Sequence, residues 1–303
     1  MSGRLGIKEF MVLKTSGLPV FHYSPIGTRQ VDDLLSGFLT AITSFASEFG
    51  ERTVRSLSFE GSELLYEPAG DDLLFIFLVD AGAPSKVLRA ILRDLSNRFL
   101  LRYTAEISKS IVEEKDFDAF KQQARKSFDY YEGIVTVISN LSSYVVPKLN
   151  GELYQQVSTV HGFLDELHRD FGRASNQVLR RIDGTIPIAE ISVKTGLDHE
   201  TIIEIIEYLA IWGVVEIFKM CPLIKSSDER FDAYLDIIGL PRREFGILND
   251  AKPYCDGRTP LPVISNRTET SIEELYGVLK KMGNQVQWVL RIIQVQRRPV
   301  FVG

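Results

Sequence analysis

The most readable stretch of this sequence is IPIAEISVKTGLDHETIIEIIEYLAIWGVVEIF, residues 186–218. Its apolar residues recur at three- and four-residue spacing, which is the periodicity of a helix with one buried face. The spacing predicts a helix over Ile188–Thr195 and a second helix over His199–Trp212, each ended by a glycine. Asp198 is suited to cap the second helix. Val214–Phe218 follows as a short β-branched strand.

An upstream helix, predicted to start at Gln177 and to end at Ile182, completes a winged-helix pattern of three helices and a strand. The core of such a unit needs a compact set of apolar side chains. The predicted helices supply that set at Ile188, Ile191, Ile202, Ile205, Ile206 and Leu209. We therefore predict a winged-helix domain over residues 175–225.

The first hundred residues predict a unit of mixed α and β structure over residues 1–104. Five short strands are predicted at Phe10–Lys14, Pro19–Tyr23, Val54–Glu60, Glu63–Glu67 and Leu73–Val79. Two amphipathic helices are predicted at Val31–Glu48 and Pro84–Tyr103. Short connections between neighbouring strands favour an antiparallel sheet with the helices packed against it. The predicted fold class is therefore α+β, with a five-stranded antiparallel sheet.

The middle of the chain, residues 105–174, predicts a helical arm or linker of mixed charge. Its helices are expected at Asp116–Tyr131 and Glu152–Phe171. Polar residues occupy most positions of both segments, which favours helices that pack through a narrow apolar seam.

The last segment, residues 226–303, predicts an irregular stretch followed by a second small winged-helix-like unit. Ser271–Met282 is predicted as a helix capped by Ser271, with Glu274 at the spacing of a capping box. A further helix is predicted at Asn284–Gln294 and a terminal strand at Pro299–Val302. No internal repeat is evident beyond this second unit.

Composition excludes several protein classes. The 45% hydrophobic and 25% charged fractions are those of a globular chain. The longest apolar run, Leu73–Val79, is far shorter than the roughly 20 residues that cross a bilayer. Cys221 and Cys255 are too few for a disulfide scaffold, and no signal peptide is evident. We expect a cytoplasmic protein without a transmembrane segment, and any membrane association to be peripheral, through a complex.

The chemical motifs of enzymes are absent from the sequence. The four histidines are scattered, and neither an HExxH motif nor paired cysteines are available for a metal. No Gly-x-Ser-x-Gly elbow and no phosphate-binding Gly-x-x-x-x-Gly-Lys loop occurs. We therefore predict a non-enzymatic protein with no catalytic residues, no cofactor and no metal.

One segment, Gln177–Ile217, resembles the winged-helix segment of the nitrogen permease regulator 2-like family. The shared features are Ile182-Asp183-Gly184, the helix Ile188–Thr195, the helix after Asp198 and the ending Trp212-Gly213-Val214-Val215. Val289–Val300, with Arg297-Arg298-Pro299-Val300, is similar to a later segment of that family. The predicted helix around Leu34–Ile42 also resembles longin-type proteins of membrane trafficking and small-GTPase control.

The resemblance implies that the N-terminal sheet belongs to a longin-like domain, and that the chain is a subunit of a complex regulating Rag-type small GTPases in nutrient signalling. The family's arginine finger lies in the loop before the last long strand of that sheet. The matching loop here, Tyr66–Asp72, contains no arginine and carries Asp71 and Asp72 instead. GTPase activation by the family mechanism is therefore not expected. The alternative is a GTPase-activating protein that uses Arg52 or Arg55, which flank a predicted strand.

A second alternative, a winged-helix regulator that binds DNA, is disfavoured by charge. Residues 175–224 hold seven acidic against four basic residues, and the predicted recognition helix carries Glu200, Glu204 and Glu207 without a lysine or arginine. Duplex DNA would be repelled from such a helix. The chain is therefore predicted to be a scaffold or adaptor that binds a small GTPase, another longin-domain protein or both, without specific DNA binding. The candidate partner-binding residues are these three glutamates with Arg52 and Arg55.

Overall fold

A computed structural model describes residues 5–25, 27, 37, 41, 56–70, 72–107, 117–159, 162–224 and 239–293. Tertiary contacts divide the chain into two compact units. The first comprises the described residues within 1–139 and 207–213, and the second those within 140–206 and 214–294. The four-part division predicted from the sequence is finer than this and remains a prediction.

The first unit is a five-stranded antiparallel sheet with two long helices. Its strands are β1 (Ile7–Lys14), β2 (Pro19–Tyr23), β3 (Ser56–Ser58), β4 (Ser62–Ala69) and β5 (Leu73–Asp80), and its helices are α1 (Ser85–Ile107) and α2 (Asp118–Ser139). The strand order is β2-β1-β5-β4-β3. The predicted α+β class and antiparallel five-stranded sheet are confirmed. The predicted helix Val31–Glu48 lies outside the described residues except at Gly37 and Ala41.

The core of the first unit lies on both faces of its central strands. β5 is hydrogen-bonded on both sides, with Phe77 opposite Phe10 of β1 and Leu65 of β4. One face carries a cluster of buried aromatic rings: Phe10, Phe21, Phe75, Phe77, Phe99, Phe117, Phe120 and Phe128. A second buried apolar cluster consists of Met11, Leu13, Leu64, Tyr66, Leu74 and Ile76. A strand buried on both faces needs a continuous apolar run, as in Leu73–Val79.

The second unit contains a three-stranded antiparallel sheet of order β6-β7-β8. The strands are β6 (Val145–Leu149), β7 (Val215–Ile224) and β8 (Val286–Ile292). The helices of this half of the chain are α3 (Gly151–Ser158), α4 (Phe163–Leu179), α5 (Ile188–Thr195), α6 (His199–Ile211), α7 (Arg242–Ala251), α8 (Leu261–Arg267) and α9 (Ile272–Lys281). The residues of α6 from Glu207 onward group with the first unit.

Several predicted elements of this unit are confirmed and others are wrong. The helix Ile188–Thr195 is found as predicted, and Ser271 caps α9 by accepting a hydrogen bond from the Glu274 N–H at 3.2 Å. The predicted helix Asn284–Gln294 is wrong, because Gly283–Gln285 form a short 3₁₀ turn and Val286–Ile292 form β8. The predicted terminal strand Pro299–Val302 lies outside the described residues. β8 is stabilised by pairing with β7 from Val286 opposite Ile224 to Ile292 opposite Phe218, a contact that local periodicity does not reveal.

Two further corrections concern helix boundaries. The segment predicted to start at Gln177 is the end of α4, which is broken at Gly172 by φ 52° and ψ −131°, a conformation open only to glycine. The region predicted to be irregular contains α7 and α8, and each of these helices follows a proline, Pro241 or Pro260, at its N-cap. Proline favours the extended backbone that precedes a helix.

The second unit contains the same structural segment twice. Asp183-Gly184 recurs 73 residues later as Asp256-Gly257, and each pair is followed by a proline, a short helix and a second helix. The Gly184 N–H donates to the Pro147 carbonyl of β6 at 3.2 Å, and the Gly257 N–H donates to the Pro222 carbonyl of β7 at 2.8 Å.

Equivalent side-chain hydrogen bonds support this correspondence. The Ser192 hydroxyl donates to the Leu197 carbonyl at 2.6 Å, and the Ser265 hydroxyl donates to the Thr270 carbonyl at 2.7 Å. Two winged helices therefore share one sheet, and β7 belongs to both. We call them the first repeat (β6 to the start of β7) and the second repeat (β7 to β8). The detailed equivalence of the two repeats was not predicted from the sequence, because the two segments share few residues beyond the Asp-Gly pairs and the prolines.

Replacing Gly257 by alanine is expected to destabilise the second unit by about 2–4 kcal/mol, because strain and crowding add together. Gly257 has φ +71°, and an added Cβ would lie 3.2 Å from Val289 Cγ2 and 3.3 Å from Leu223 Cβ. The equivalent Gly184→Ala is expected to be similarly destabilising, because Gly184 has φ +84° and its added Cβ would lie 3.0 Å from Lys148 Cγ and 3.2 Å from Lys148 Cβ. Gly246→Ala, in α7 with open space around it, is the control. Urea denaturation measures the free energies, and equal values for Gly257→Ala and Gly246→Ala would contradict the account.

Candidate functional site

The hairpin between β4 and β5 contains the loop Tyr66–Asp72, in which the resemblance led us to look for an arginine finger. Pro68 pairs with Leu74 and Ala69 with Leu73, so the turn contains only residues 70–72. Gly70 has φ +67°, and the Thr15 N–H donates to the Asp72 carbonyl at 2.8 Å. This tight turn has no guanidinium and presents an exposed carboxylate at Asp72. Asp71 lies outside the described residues.

Two arginines on α1, next to this sheet, take part in buried or half-buried ion pairs. Arg93 Nε donates to Glu67 of β4 at 2.8 Å, and Arg98 Nη2 lies 2.7 Å from Asp94. Both arginine side chains are less than a fifth exposed. These guanidinium groups stabilise the packing of α1 and are not presented to a ligand. Arg52 and Arg55, the candidate arginines from the sequence, lie outside the described residues.

The three candidate glutamates of α6 differ in exposure. Glu200 is exposed, Glu204 is half-buried, and Glu207 is only 5% exposed. From Ile205 to Trp212 every residue of this helix and its end is buried. A recognition helix must present one face to the major groove along several turns. The structure therefore leaves only the start of α6, with Glu200 and part of Glu204, as a surface for a partner.

The equivalent helix of the second repeat, α9, carries lysines whose charges are neutralised within the unit. Lys280 forms an ion pair with Glu190 of α5, and Lys281 Nζ lies 2.6 Å from Glu244 of α7. Burial raises the pKa of Glu190, but hydrogen bonds from Lys280 and Tyr276 outweigh it and lower the pKa overall. These cations are engaged by carboxylates and are poorly suited to bind phosphate groups.

Two concave surfaces and two cysteines were considered as possible sites of chemistry among the described residues. A groove of about 240 Å³ lies between α7 and α9, and a polar cleft of about 400 Å³ lies between α7 and α8. Burial raises the pKa of the Cys255 thiol to about 12 and also raises that of Cys221, so neither is a ready nucleophile. Among the described residues no group of three potential ligands could hold a metal ion. Within the same part of the chain, no helix has the length and apolar character of a membrane span.

Three turn aspartates predict how the stability of the second unit depends on pH. Hydrogen bonds lower the pKa of each: from the Thr185 hydroxyl to Asp183, from the Thr201 N–H to Asp198 and from the Thr259 N–H to Asp256. Because the folded pKa lies below the unfolded value, this stabilisation is complete above about pH 5 and is lost as the pH falls through the folded pKa.

We therefore expect the free energy of unfolding to fall between about pH 5 and about pH 3. The triple variant with asparagine at the three positions keeps acceptor oxygens but cannot titrate, so its profile should be flatter. Urea denaturation across this range measures both profiles. Parallel profiles for the variant and the unmodified protein would show that these aspartates do not contribute.

Solved structures of low sequence identity are similar to part of this chain. No family model matches the chain, and no curated protein matches it. The matching solved structures include "MglB with tetrameric arrangement", at 18% identity and a TM-score of 0.23, covering 27% of this chain and 65% of that one. They also include the gliding protein MglB from Thermus thermophilus, at 19% identity and a TM-score of 0.22, covering 27% and 66%. This chain spans just under two thirds of each.

Proposed function

We propose that the chain is a non-enzymatic adaptor or scaffold of the nitrogen permease regulator 2-like type, which binds a small GTPase, another longin-domain protein or both. The observation that carries this proposal is the β4–β5 hairpin. It is closed by the pairing of Ala69 with Leu73 and contains no guanidinium. An arginine finger stabilises charge on the transferring phosphoryl group, and a carboxylate such as Asp72 would oppose it.

The winged helices support a protein as the partner rather than DNA. In the first repeat α6 carries glutamates and is buried beyond Glu204. In the second repeat Lys280 and Lys281 of α9 are paired with carboxylates. Neither helix offers the cations that supply most of the affinity for a duplex.

The finer assignment rests on the resemblance. It points to regulation of Rag-type GTPases in nutrient signalling, or to membrane traffic, in the cytoplasm. The five-stranded sheet has two edge strands, β2 and β3, among its described elements, and edge strands are natural docking sites. A GTPase-activating role remains the alternative, and it would need an arginine outside the hairpin.

The decisive measurement is single-turnover GTP hydrolysis by the small GTPase that co-purifies with the full chain. We expect binding with hydrolysis unchanged within about twofold, because the hairpin lacks the arginine that contributes roughly 10³–10⁵ in turnover. The measurement is repeated with Arg52→Ala and Arg55→Ala, and with Arg173→Ala as an exposed arginine of the second unit.

Stimulation of about a hundredfold or more that is abolished by Arg52→Ala or Arg55→Ala, but not by Arg173→Ala, would establish the activating alternative. Co-purification of neither a small GTPase nor a longin-domain protein would reject the adaptor proposal itself.

A further inference from the structure

Two cations lie directly opposite each other in the sheet of the second unit. Lys219 of β7 pairs with Arg291 of β8 in the antiparallel register. Side chains of directly opposed residues are close, and like charges at such positions are destabilising. Both residues are exposed, and neither forms an ion pair with a described residue. The sheet therefore bears an unfavourable pair of charges that its own described residues do not neutralise.

A third cation, Arg258, lies beside this pair. Arg291 Nε donates to the Gly257 carbonyl at 3.0 Å, which holds its guanidinium next to the Asp256-Gly257 turn. On the same sheet face, Cys221 Sγ–H donates to the Arg258 carbonyl at 3.4 Å, so the turn lies against β7 near Lys219. The side chain of Arg258 is exposed. We call Lys219, Arg258 and Arg291 the wing cation cluster.

The nearby carboxylate of Asp256 does not neutralise the positive charge of the wing cation cluster. Asp256 Oδ1 accepts hydrogen bonds from the backbone N–H groups of Arg258 and Thr259, each at 2.7 Å. This carboxylate is engaged in closing the turn and makes no ion pair with the three cations among the described residues. Counted over the described residues, the cluster therefore keeps a net positive charge, and its three side chains are exposed.

The fold does not require these cations, because the first repeat is built without them. Arg258 follows Asp256-Gly257, and Thr185 follows Asp183-Gly184 at the equivalent position. Lys219 lies three residues before Pro222 of β7, and Tyr144 lies three residues before Pro147 of β6. The same architecture thus forms with neutral residues, and the charges of the second repeat call for a functional explanation.

The position of the cluster indicates the shape of its ligand. β8 is an edge strand of the β6-β7-β8 sheet, so an extended segment can add to it through backbone hydrogen bonds. Alternate side chains of an added strand project from the same face as Lys219 and Arg291. We propose that the wing cation cluster and the edge of β8 form a docking site for an extended acidic segment of a partner protein.

Nucleic acid fits this surface less well than an acidic peptide. Affinity for a duplex needs several phosphate contacts spread along the backbone. The adjacent first repeat is acidic, and the lysines of α9 are already paired with Glu190 and Glu244. A local cluster of three cations matches a short run of alternating carboxylates better.

The test is fluorescence anisotropy with the full chain and a labelled peptide of about ten residues in which glutamate alternates with threonine. We expect Lys219→Gln/Arg258→Gln/Arg291→Gln to weaken binding about tenfold or more, since each exposed ion pair contributes up to roughly fivefold. The charge-matched control is Arg173→Gln/Arg180→Gln/Arg181→Gln, whose residues are exposed in the first repeat. It should bind within about twofold of the unmodified chain. Thermal melts identify any variant that fails to fold. If the triple variant fails, the single variant Arg258→Gln, whose residue lies outside the strands, is measured in its place. We expect Arg258→Gln to weaken the affinity for the peptide about threefold.

Three results would overturn the proposal. The control triple variant could lose as much affinity for the peptide as the cluster variant, or a peptide with lysine in place of glutamate could bind with the same affinity. Duplex DNA could also bind more tightly than the acidic peptide and lose that binding in the cluster variant. The experiment needs no GTPase. Its failure therefore leaves the adaptor proposal standing, and failure of the hydrolysis experiment leaves the docking site standing.

Discussion

Replacing Phe10 by alanine is expected to lower the free energy of unfolding of the first unit by about 3–5 kcal/mol. Phe10 is fully buried in β1, and its ring centroid lies 5.6 Å from that of Phe21, 5.2 Å from that of Phe77 and 6.0 Å from that of Phe128. Alanine would leave a cavity among rings that come from β1, β2, β5 and α2, so no single element can close it.

This loss is a large fraction of the roughly 5–15 kcal/mol by which domains are stable. Phe59→Ala provides the control, because Phe59 is 47% exposed just after β3 and its truncation should cost well under about 1 kcal/mol. Denaturant unfolding followed by tyrosine fluorescence measures both. A Phe10→Ala loss similar to that of Phe59→Ala would mean that the aromatic cluster is not the core of this unit.

Replacing Asp94 by alanine is expected to be equally damaging, at about 3–5 kcal/mol, for an electrostatic reason. Asp94 of α1 is 4% exposed, accepts a hydrogen bond from the Tyr131 hydroxyl of α2, and lies 2.7 Å from Arg98 Nη2. Without the carboxylate, a nearly buried guanidinium and a buried hydroxyl lose their shared partner. Asp94→Asn keeps an acceptor for Tyr131 and should cost less.

The double variant Asp94→Leu/Arg98→Met distinguishes a buried charge from lost packing. Removing both charges in favour of apolar groups is expected to recover much of the stability lost in Asp94→Ala. The exposed ion pair between Arg243 and Glu274 is the control, and Glu274→Ala should cost no more than about 1 kcal/mol. If the double variant were less stable than Asp94→Ala, the ion pair itself would be a net source of stability.

Local signals in the sequence are sufficient to predict several of the strands and helices. β2 and β5 are bounded by turn residues and have continuous or alternating apolar patterns, and α5 lies between a proline and a glycine. Ser271 was identified as an N-cap from its spacing to Glu274, and that bond is present. Each of these signals acts within a few residues of the element that it defines, so the sequence alone contains the information.

Other elements depend on partners far away in the chain. Val286–Ile292 is a strand because β7, about seventy residues earlier, supplies its hydrogen bonds. β6 was not predicted for the same reason, since its register with β7 is set by residues more than sixty positions later.

The sequence by itself determined the α+β class, the antiparallel sheet, the winged-helix pattern and the absence of an arginine from the Tyr66–Asp72 hairpin, because these follow from local periodicity and residue identity. The tertiary structure alone decided that Glu207 is buried, that the lysines of α9 are neutralised and that Lys219 faces Arg291 without a counter-charge among the described residues. Burial and charge pairing are properties of residues brought together from distant segments. The energy of a charge depends on those neighbours and on its exposure to water, which a linear sequence does not specify.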